Sequence, residues 1–300
     1  MSSLVGSFFT NLGKALSRRD PRTQEWILVA NPTYVTALLM CYLLLAKVWG
    51  PRHMQHRKPY QLKGVIVVYN LFHVVANIIF FAKIFYHSFG VGKYSVICQG
   101  LTYGTDYHST ALLNAIYWYV SLRATDLLDT VFFVLQKKFT HVSVLHVVHH
   151  TIVTFNSWLY LRIGIDGQPV LGICLNALVH VVMYSYYFLA AFGPSVRKHL
   201  WWKKYLTKIQ IVQFIIFLIQ GSQPAFRDCG YPPEILLITM SQVVLILVLF
   251  LNFYVQAYIK KVQAPEPGTL CTKMCFIQER SGQGIQNGTA LNGTLNRKED

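Results

Sequence analysis

The chain has 300 residues, of which 53% are hydrophobic and only 13% are charged. This balance is too apolar for a water-soluble globular domain and indicates a protein that crosses a membrane several times. The formal net charge of +15 comes from basic residues dispersed between apolar runs, which argues against nucleic-acid binding and favours loops that face the cytoplasm and anionic lipid.

The apolar runs predict an all-α integral membrane protein with seven transmembrane helices. A hydrocarbon core of about 30 Å requires roughly 20 apolar residues per helix. The spans are expected near residues 32–49, 65–87, 111–135, 143–161, 170–192, 206–223 and 234–259. Residues 1–31 then form an N-terminal segment, and residues 32–261 form the seven-span domain. Residues 262–300 are polar, lack apolar periodicity and are expected to be disordered.

Loop charge orients these spans. Lys and Arg are concentrated in the loops after spans one, three, five and seven, whereas the other loops are nearly neutral. The positive-inside rule therefore predicts a lumenal N-terminus and a cytoplasmic C-terminus. The basic residues that oppose this orientation precede the first span and are Lys14, Arg18, Arg19 and Arg22.

Three features of the chain depend on that orientation. The last four residues, Arg-Lys-Glu-Asp, resemble a dibasic retrieval signal of the endoplasmic reticulum membrane, which is therefore the expected location. The sequons at Asn287 and Asn292 would face the cytoplasm and stay unglycosylated. Cys98 and Cys229 both fall in loops expected to be lumenal, where a disulfide is chemically permitted, so this pair is a candidate disulfide.

Polar side chains are clustered within the predicted spans. Span three contributes three charged residues and span four contributes three histidines, each set spaced to share one helix face. The full set is Arg123, Asp126, Asp129, His146, His149 and His150, followed by Asn176, His180, Tyr184 and Tyr187 in span five and by Gln210 and Gln213 in span six. Buried charge costs about 2.5–3.5 kcal/mol on insertion scales, so these residues suggest a functional site. Isolated histidines such as His73 and His87 are expected to be structural.

The position of the cluster along the helices indicates which reactants could reach it. At 1.5 Å per residue, Asp129 lies about 10 Å and His146 about 6 Å of helix from the basic loop between spans three and four. Both groups are therefore expected in the cytoplasmic half of the membrane. A water-soluble reactant could enter there while the apolar bundle accommodates a lipid.

The histidine cluster permits three classes of chemistry. Rings at i, i+3 and i+4 could bind metal, as in membrane di-iron desaturases and hydroxylases, but the chain contains a single H-x-x-H-H box and too few other ligands, so no metal site is predicted. Intramembrane charges could also serve a transporter. The third class is nucleophilic and acid/base catalysis by histidine itself.

Four motifs in this order resemble the very-long-chain fatty acid elongase family over roughly residues 25 to 261. They are Arg123-x-x-Asp126-x-x-Asp129-Thr130, His146-Val-Val-His149-His150, Asn176-x-x-x-His180-Val-Val-Met183-Tyr184, and Thr207-x-x-Gln210-x-x-Gln213. The family pattern of the first motif is K-x-x-E-x-x-D-T, so Arg123 and Asp126 conserve charge but change geometry. The stretches AFGPSVRKHLWWKKYLT and VIVVYN are similar to animal elongases of long, very long or polyunsaturated chains.

The resemblance implies a fold and a reaction. Six of the seven helices would form a barrel around a closed-ended acyl tunnel, commonly in a homodimer. The reaction would condense acyl-CoA with malonyl-CoA to a 3-oxoacyl-CoA two carbons longer, with release of CO2 and CoA. No resident cofactor is expected. A nucleotide-binding glycine motif is absent from the sequence, so the reductase, dehydratase and enoyl reductase of the cycle would be separate partner proteins.

We expect the clustered residues to divide the chemistry among them. His149 would accept the acyl group. His180 and Asn176 would stabilise the enolate oxygen, and His146 and His150 would act as base and orienting partner. Asp129, Asp126 and Arg123 would hold histidine tautomers or the malonyl carboxylate. The expected substrate-binding residues are Tyr184, Tyr187, Gln210 and Gln213, with Lys137, Lys203 and Lys204 as candidates for the CoA phosphates.

Overall fold

The computed structural model of the chain describes residues 17–259 and, before them, Gly6, Thr10, Gly13 and Lys14. The side chain of Lys204, the predicted tail with its two sequons, Cys271 and Cys275, and the boundary expected at residue 261 lie outside the described part. The chain divides into two units, Met1–Phe253 and Tyr254–Asp300, and the site described below lies within the first. Residues 17–259 are helical without a strand, which confirms the all-α fold.

The α-helices of residues 17–259 are numbered in chain order. They are α1 Ile27–Ala30, α2 Pro32–Leu44, α3 Gly50–Met54, α4 Lys63–Phe85, α5 Tyr107–Thr125, α6 Leu128–Leu135, α7 Val144–Ile163, α8 Pro169–Ala190, α9 Pro194–Arg197, α10 Lys203–Gly221 and α11 Pro233–Tyr254. π-helical turns connect α2 to α3 at Leu45–Trp49, extend α4 at Tyr86–Gly90 and follow α11 at Val255–Ile259.

Local sequence explains where these helices begin. Proline is the first residue of α2, α8 and α11, where its missing N–H costs nothing. The Asn31 side chain accepts a hydrogen bond from Thr33 N at 2.9 Å and caps α2. Ser143 caps α7 by accepting from His146 N at 3.2 Å. The histidine-bearing helix therefore starts at a fixed point.

Five of the predicted spans coincide with helices that are long and apolar enough to cross a membrane among the described residues. These are Pro32–Met54, Lys63–Gly90, Pro169–Ala190, Tyr205–Ala225 and Pro233–Ile259. The runs predicted at 111–135 and 143–161 are also mainly helical, as α5, α6 and α7. They carry the charged residues and histidines of the cluster, which lower their hydropathy. The count of seven spans and the barrel stay predictions.

The third predicted span is interrupted, which corrects the expectation that its charged residues lie along one regular helix face. The Thr125 hydroxyl donates to the Leu122 carbonyl at 2.7 Å, which a regular helix would offer to Asp126 N. Asp126 N instead bonds to Arg123 O at 3.2 Å, and Leu127 N bonds to Ala124 O at 3.4 Å. These i→i−3 bonds form a tight turn between α5 and α6.

Helix packing brings the polar faces together. The most extensive contacts join α4 to α8, and α8 also packs on α10, while α5 packs on both α4 and α7. A core cluster of buried side chains that includes Leu112, Ile116, Leu161 and Ala177 lies between α5, α7 and α8. The cluster residues of α5, α7 and α8 therefore face a common interior.

A disulfide and a pair of salt bridges lie at the end of the bundle that is predicted to be lumenal. Cys98 and Cys229 form a disulfide. Arg22 pairs with Asp20 at 2.6 Å and with Asp166 at 2.9 Å, so one of the basic residues that opposed the predicted orientation is neutralised within the fold.

Candidate active site

A tyrosine joins the two carboxylates of the interrupted span. Tyr184 of α8 is fully buried and lies with its hydroxyl 3.1 Å from Asp126 Oδ1 and 3.0 Å from Asp129 Oδ2. Arg123 pairs with the other oxygen of Asp126 at 3.0 Å. A buried charge needs a partner, and Asp126 has both a cation and a hydroxyl beside it.

The second part of the site comes from α8. The Arg123 guanidinium is hydrogen-bonded to His180 Nδ1. The Tyr119 hydroxyl donates to Asn176 Oδ1 at 2.6 Å, which leaves the amide N–H groups of Asn176 as the donors available to another molecule. His180 is buried, and Asn176 is half-buried one turn away.

The three histidines of α7 form a contiguous group. The ring centroids of His146 and His150 are 4.3 Å apart, and those of His149 and His150 are 5.5 Å apart. His146 Nε2 lies 2.6 Å from Thr130 Oγ1, which fixes the His146 ring through a residue of the first motif. Within the described residues, no group of three or more His, Cys, Asp or Glu side chains is placed to hold a metal ion.

Two cavities meet at these residues. A polar cavity of about 20 Å³ is lined by Val153, Thr154 and the site residues Arg123, Asp126, His149, His150, Asn176 and His180. A larger cavity of about 200 Å³ shares Arg123, His149, Val153 and Asn176 with it. This cavity continues between α7, α8, α10 and α11 along mainly apolar and aromatic side chains such as Phe214 and Phe217. His149 therefore lies where the polar cavity adjoins the apolar one, whereas His150 lines only the smaller cavity and His146 lines neither.

Other residues predicted for the site lie apart from this group. Tyr187 is 39% exposed, and its ring centroid lies 6.0 Å from the ring centroid of Tyr184. Gln210 donates to Met183 Sδ at 3.7 Å, and Gln213 is buried with its side-chain oxygen unpaired. Lys203 is exposed, and Lys137 donates to Gln55 O at 3.3 Å. None of these five residues lines either cavity.

Two polar residues of α4 lie beside the site. His73, expected to be structural, is fully buried, stacks on Tyr184 at 4.3 Å and has Nδ1 3.3 Å from Asp126 Oδ1, although that approach lacks hydrogen-bond geometry. Asn77 accepts from Arg123 NH2 at 2.9 Å. The i, i+4 spacing of His73 and Asn77 was the available signal, since it places two polar side chains on one face of an apolar span.

Sequence analysis missed the polar pairs in the larger cavity. Asn156 of α7 pairs with Gln242 of α11, and Tyr160 pairs with Thr239. The partners are 86 and 79 positions apart along the chain. Local spacing in the sequence therefore cannot predict that they pair.

Comparison with known proteins identifies the family. The model of the ELO family, described as the GNS1/SUR4 family, matches residues 27–266. Very long chain fatty acid elongase 4 of Homo sapiens is 37% identical over 250 residues, which cover 83% of this chain and 78% of that protein. Elongase 4 of Mus musculus is 36% identical over 93% of this chain and 84% of its own length. Very long chain fatty acid elongase 5 of Rattus norvegicus is 35% identical over 99% and 94%. The chain therefore belongs to the ELO (GNS1/SUR4) family, the family of these fatty acid elongases.

Proposed function

We propose that this protein condenses a long-chain acyl-CoA with malonyl-CoA to give a 3-oxoacyl-CoA, CO2 and CoA. The observation that carries the proposal is the position of His149, which lines both the polar cavity and the larger apolar one. An acyl chain in the apolar space would present its thioester carbon beside this ring. The family membership supports an elongation reaction.

The first half-reaction makes an acyl-histidine. A ring nitrogen of His149 attacks the thioester carbon, the carbon–sulfur bond breaks, and CoA leaves as the thiol with a proton supplied from the site. His150 follows His149 in sequence and its ring centroid lies 5.5 Å from that of His149, while His146 lies 4.3 Å from His150 between ring centroids. These two rings act as base and orienting partner. Thr130 holds His146 in place.

The second half-reaction forms the new carbon–carbon bond. Malonyl-CoA loses CO2, and its electron pair forms an enolate that attacks the acyl carbon. The carbon–nitrogen bond to His149 breaks, and the leaving ring nitrogen takes up a proton from solvent through the base, which restores the neutral imidazole. His180 and the amide N–H groups of Asn176 stabilise the enolate oxygen by hydrogen bonds, and donors fixed in place before the reaction stabilise such a charge without reorganisation. Asp126, Asp129 and Arg123 hold this arrangement, with Tyr184 between the two carboxylates.

The substrates and surroundings follow from this reaction. Basic residues at the cytoplasmic mouth, with Lys137, Lys203 and Lys204 as candidates, bind the CoA phosphates. Tyr184, Tyr187, Gln210 and Gln213 are the proposed substrate-binding residues. The protein works as a homodimer in the endoplasmic reticulum membrane without a resident cofactor. Separate reductase, dehydratase and enoyl reductase proteins complete the cycle.

The test is incorporation of labelled malonyl-CoA into acyl-CoA by purified protein, combined with intact-mass measurement after exposure to acyl-CoA alone. We expect an acyl adduct on the wild type and none on His149→Ala, which also loses condensation. His141→Ala is the matched control, because His141 is exposed outside both cavities. Condensation that survives His149→Ala removes the proposed nucleophile, and two irons per purified chain would favour an oxygenase.

A further inference from the structure

Arg123 is held from three sides in the interior. It is 3% exposed and donates to Asn77 Oδ1 of α4 at 2.9 Å. Its guanidinium pairs with Asp126 at 3.0 Å and lies 4.9 Å from the ring centre of Tyr119. One nitrogen of the guanidinium, Nη1, is hydrogen-bonded with His180 Nδ1.

The chemistry of this contact decides the proton position on His180. A guanidinium has five N–H donors and no acceptor, so the ring nitrogen that faces it must carry a lone pair. Asp126 would favour a proton on the same nitrogen, but its oxygen is 3.8 Å from His180 Nδ1, beyond hydrogen-bond distance. A neutral ring with a bare Nδ1 carries its proton on Nε2.

We propose that Arg123 is a positioning residue that fixes His180 in the tautomer with the proton on Nε2. This inference rests on the proposed function and assigns His180 a single role in it. A ring with a bare Nδ1 occupied by Arg123 and a proton on Nε2 is a hydrogen-bond donor. His180 therefore stabilises the enolate oxygen, and the base is one of the α7 histidines.

Arginine suits this role better than lysine would. The planar guanidinium contacts Asn77, Asp126 and His180 at once, whereas an ammonium is a compact point charge on a flexible stem. The Arg123→Lys variant still has a donor for His180 but cannot contact all three partners at once. We therefore expect His180 to keep its proton on Nε2 and kcat to fall by less than about tenfold. Arg123→Met removes the donor altogether.

The decisive measurement is the ¹⁵N spectrum of histidine-labelled protein, with the His180 signals assigned by their loss in His180→Gln. We expect a protonated Nε2 in the wild type and in Arg123→Lys, and a proton on Nδ1 in Arg123→Met. Because the lost contact acts in the second half-reaction, Arg123→Met is expected to lower kcat about 100-fold with little change in KM for acyl-CoA. The acyl adduct still forms in this variant.

Two further variants separate positioning from folding. Arg123→Met leaves Asp126 unpaired, so the double variant Arg123→Met/Asp126→Asn tests the same donor loss without a buried charge. Arg162→Met makes the same chemical change at a residue outside both cavities and is expected to leave the His180 spectrum unchanged. An unchanged His180 tautomer in both Arg123→Met and the double variant would overturn this inference. Absence of the acyl adduct in the wild type would instead overturn the proposed function and leave the tautomer measurement interpretable.

Discussion

At the level of single residues, hydrogen-bond capacity decides what the buried site can do. Ionised Asp126 and Asp129 only accept hydrogen bonds, and Arg123 only donates. Tyr184 has one hydroxyl proton and lies within hydrogen-bond distance of both carboxylates, so it donates to one of them at a time. The group is therefore sensitive to removal of the Tyr184 hydroxyl.

Tyr184→Phe tests this dependence. The variant keeps the ring that stacks on His73 but removes the hydroxyl that lies within hydrogen-bond distance of both carboxylates. Since an unsatisfied buried polar group costs about 1–3 kcal/mol, we expect a lower melting temperature and a clear loss of condensation activity. Thermal unfolding in detergent and a malonyl-CoA incorporation assay measure the two effects.

The neighbouring tyrosine supplies the control for that substitution. Tyr187→Phe removes one hydroxyl from the same helix, at a side chain that is 39% exposed, and is expected to change stability less. An equal fall in melting temperature in the two variants would show that the contacts of Tyr184 with the carboxylates do not contribute to stability beyond those of an ordinary tyrosine hydroxyl.

The site residues found from sequence and those missed differ for a physical reason. His146, His149 and His150 share one helix face, and helix geometry alone makes that grouping predictable. The approach of His73 and Asn77 to Asp126 and Arg123 depends on how α4 packs against α5 and α8. Spacing along one helix contains no information on that packing, so only the polarity of the α4 face could be read in advance.

At the level of elements, helix ends were predictable where local chemistry sets them. Apolar run lengths placed the spans within a few residues of α2, α4, α8 and α11, and proline is the first residue of three of these helices. The turn between α5 and α6 was not predictable, because neither Pro nor Gly marks it. A hydroxyl at Thr125 competes for one carbonyl, and serine or threonine at other helix positions makes the same bond without ending the helix.

The end of α7 provides a prediction at this level. Gly164 ends the helix with φ +122°, and an added Cβ would lie 2.9 Å from the Tyr103 hydroxyl, which itself donates to Ile163 O. Gly164→Ala therefore combines an unfavourable backbone conformation with a collision. We expect a loss of about 1–3 kcal/mol in the free energy of unfolding, seen as a lower melting temperature.

Two other glycines separate the causes. Gly193 has φ +114° with nothing within 4 Å of an added Cβ, and Gly64 has neither a positive φ nor a close neighbour. Stability should fall from Gly64→Ala to Gly193→Ala to Gly164→Ala. A Gly193→Ala variant as unstable as Gly164→Ala would attribute the whole effect to the backbone and none to Tyr103.

For the whole molecule, orientation in the membrane decides from which side a water-soluble reactant enters. Positive-inside counting placed the loops of Cys98 and Cys229 on the lumenal side, and these cysteines form a disulfide, a bond that persists in an oxidising compartment. The basic N-terminal segment argued the other way. Within it, Arg22 is paired with Asp20 and Asp166, and Arg18 lies 3.5 Å from Glu234, so part of its charge is neutralised by the fold.

Glycosylation mapping decides between the two orientations, because only lumenal sequons receive sugar. With the predicted orientation, the natural sequons at Asn287 and Asn292 stay unmodified when the protein is made in microsomes, and an engineered sequon inserted in the loop near Gly92 is modified. The change in gel mobility after glycosidase treatment reports how many sequons carry sugar. Modification of the engineered sequon also shows that the microsomes are able to glycosylate the protein. Glycosylation at Asn287 without glycosylation near Gly92 would show that the orientation in the membrane is the reverse of the predicted one. The cytoplasmic entry of CoA, which follows from the depth of the histidines below the basic loop, would then have to be abandoned too.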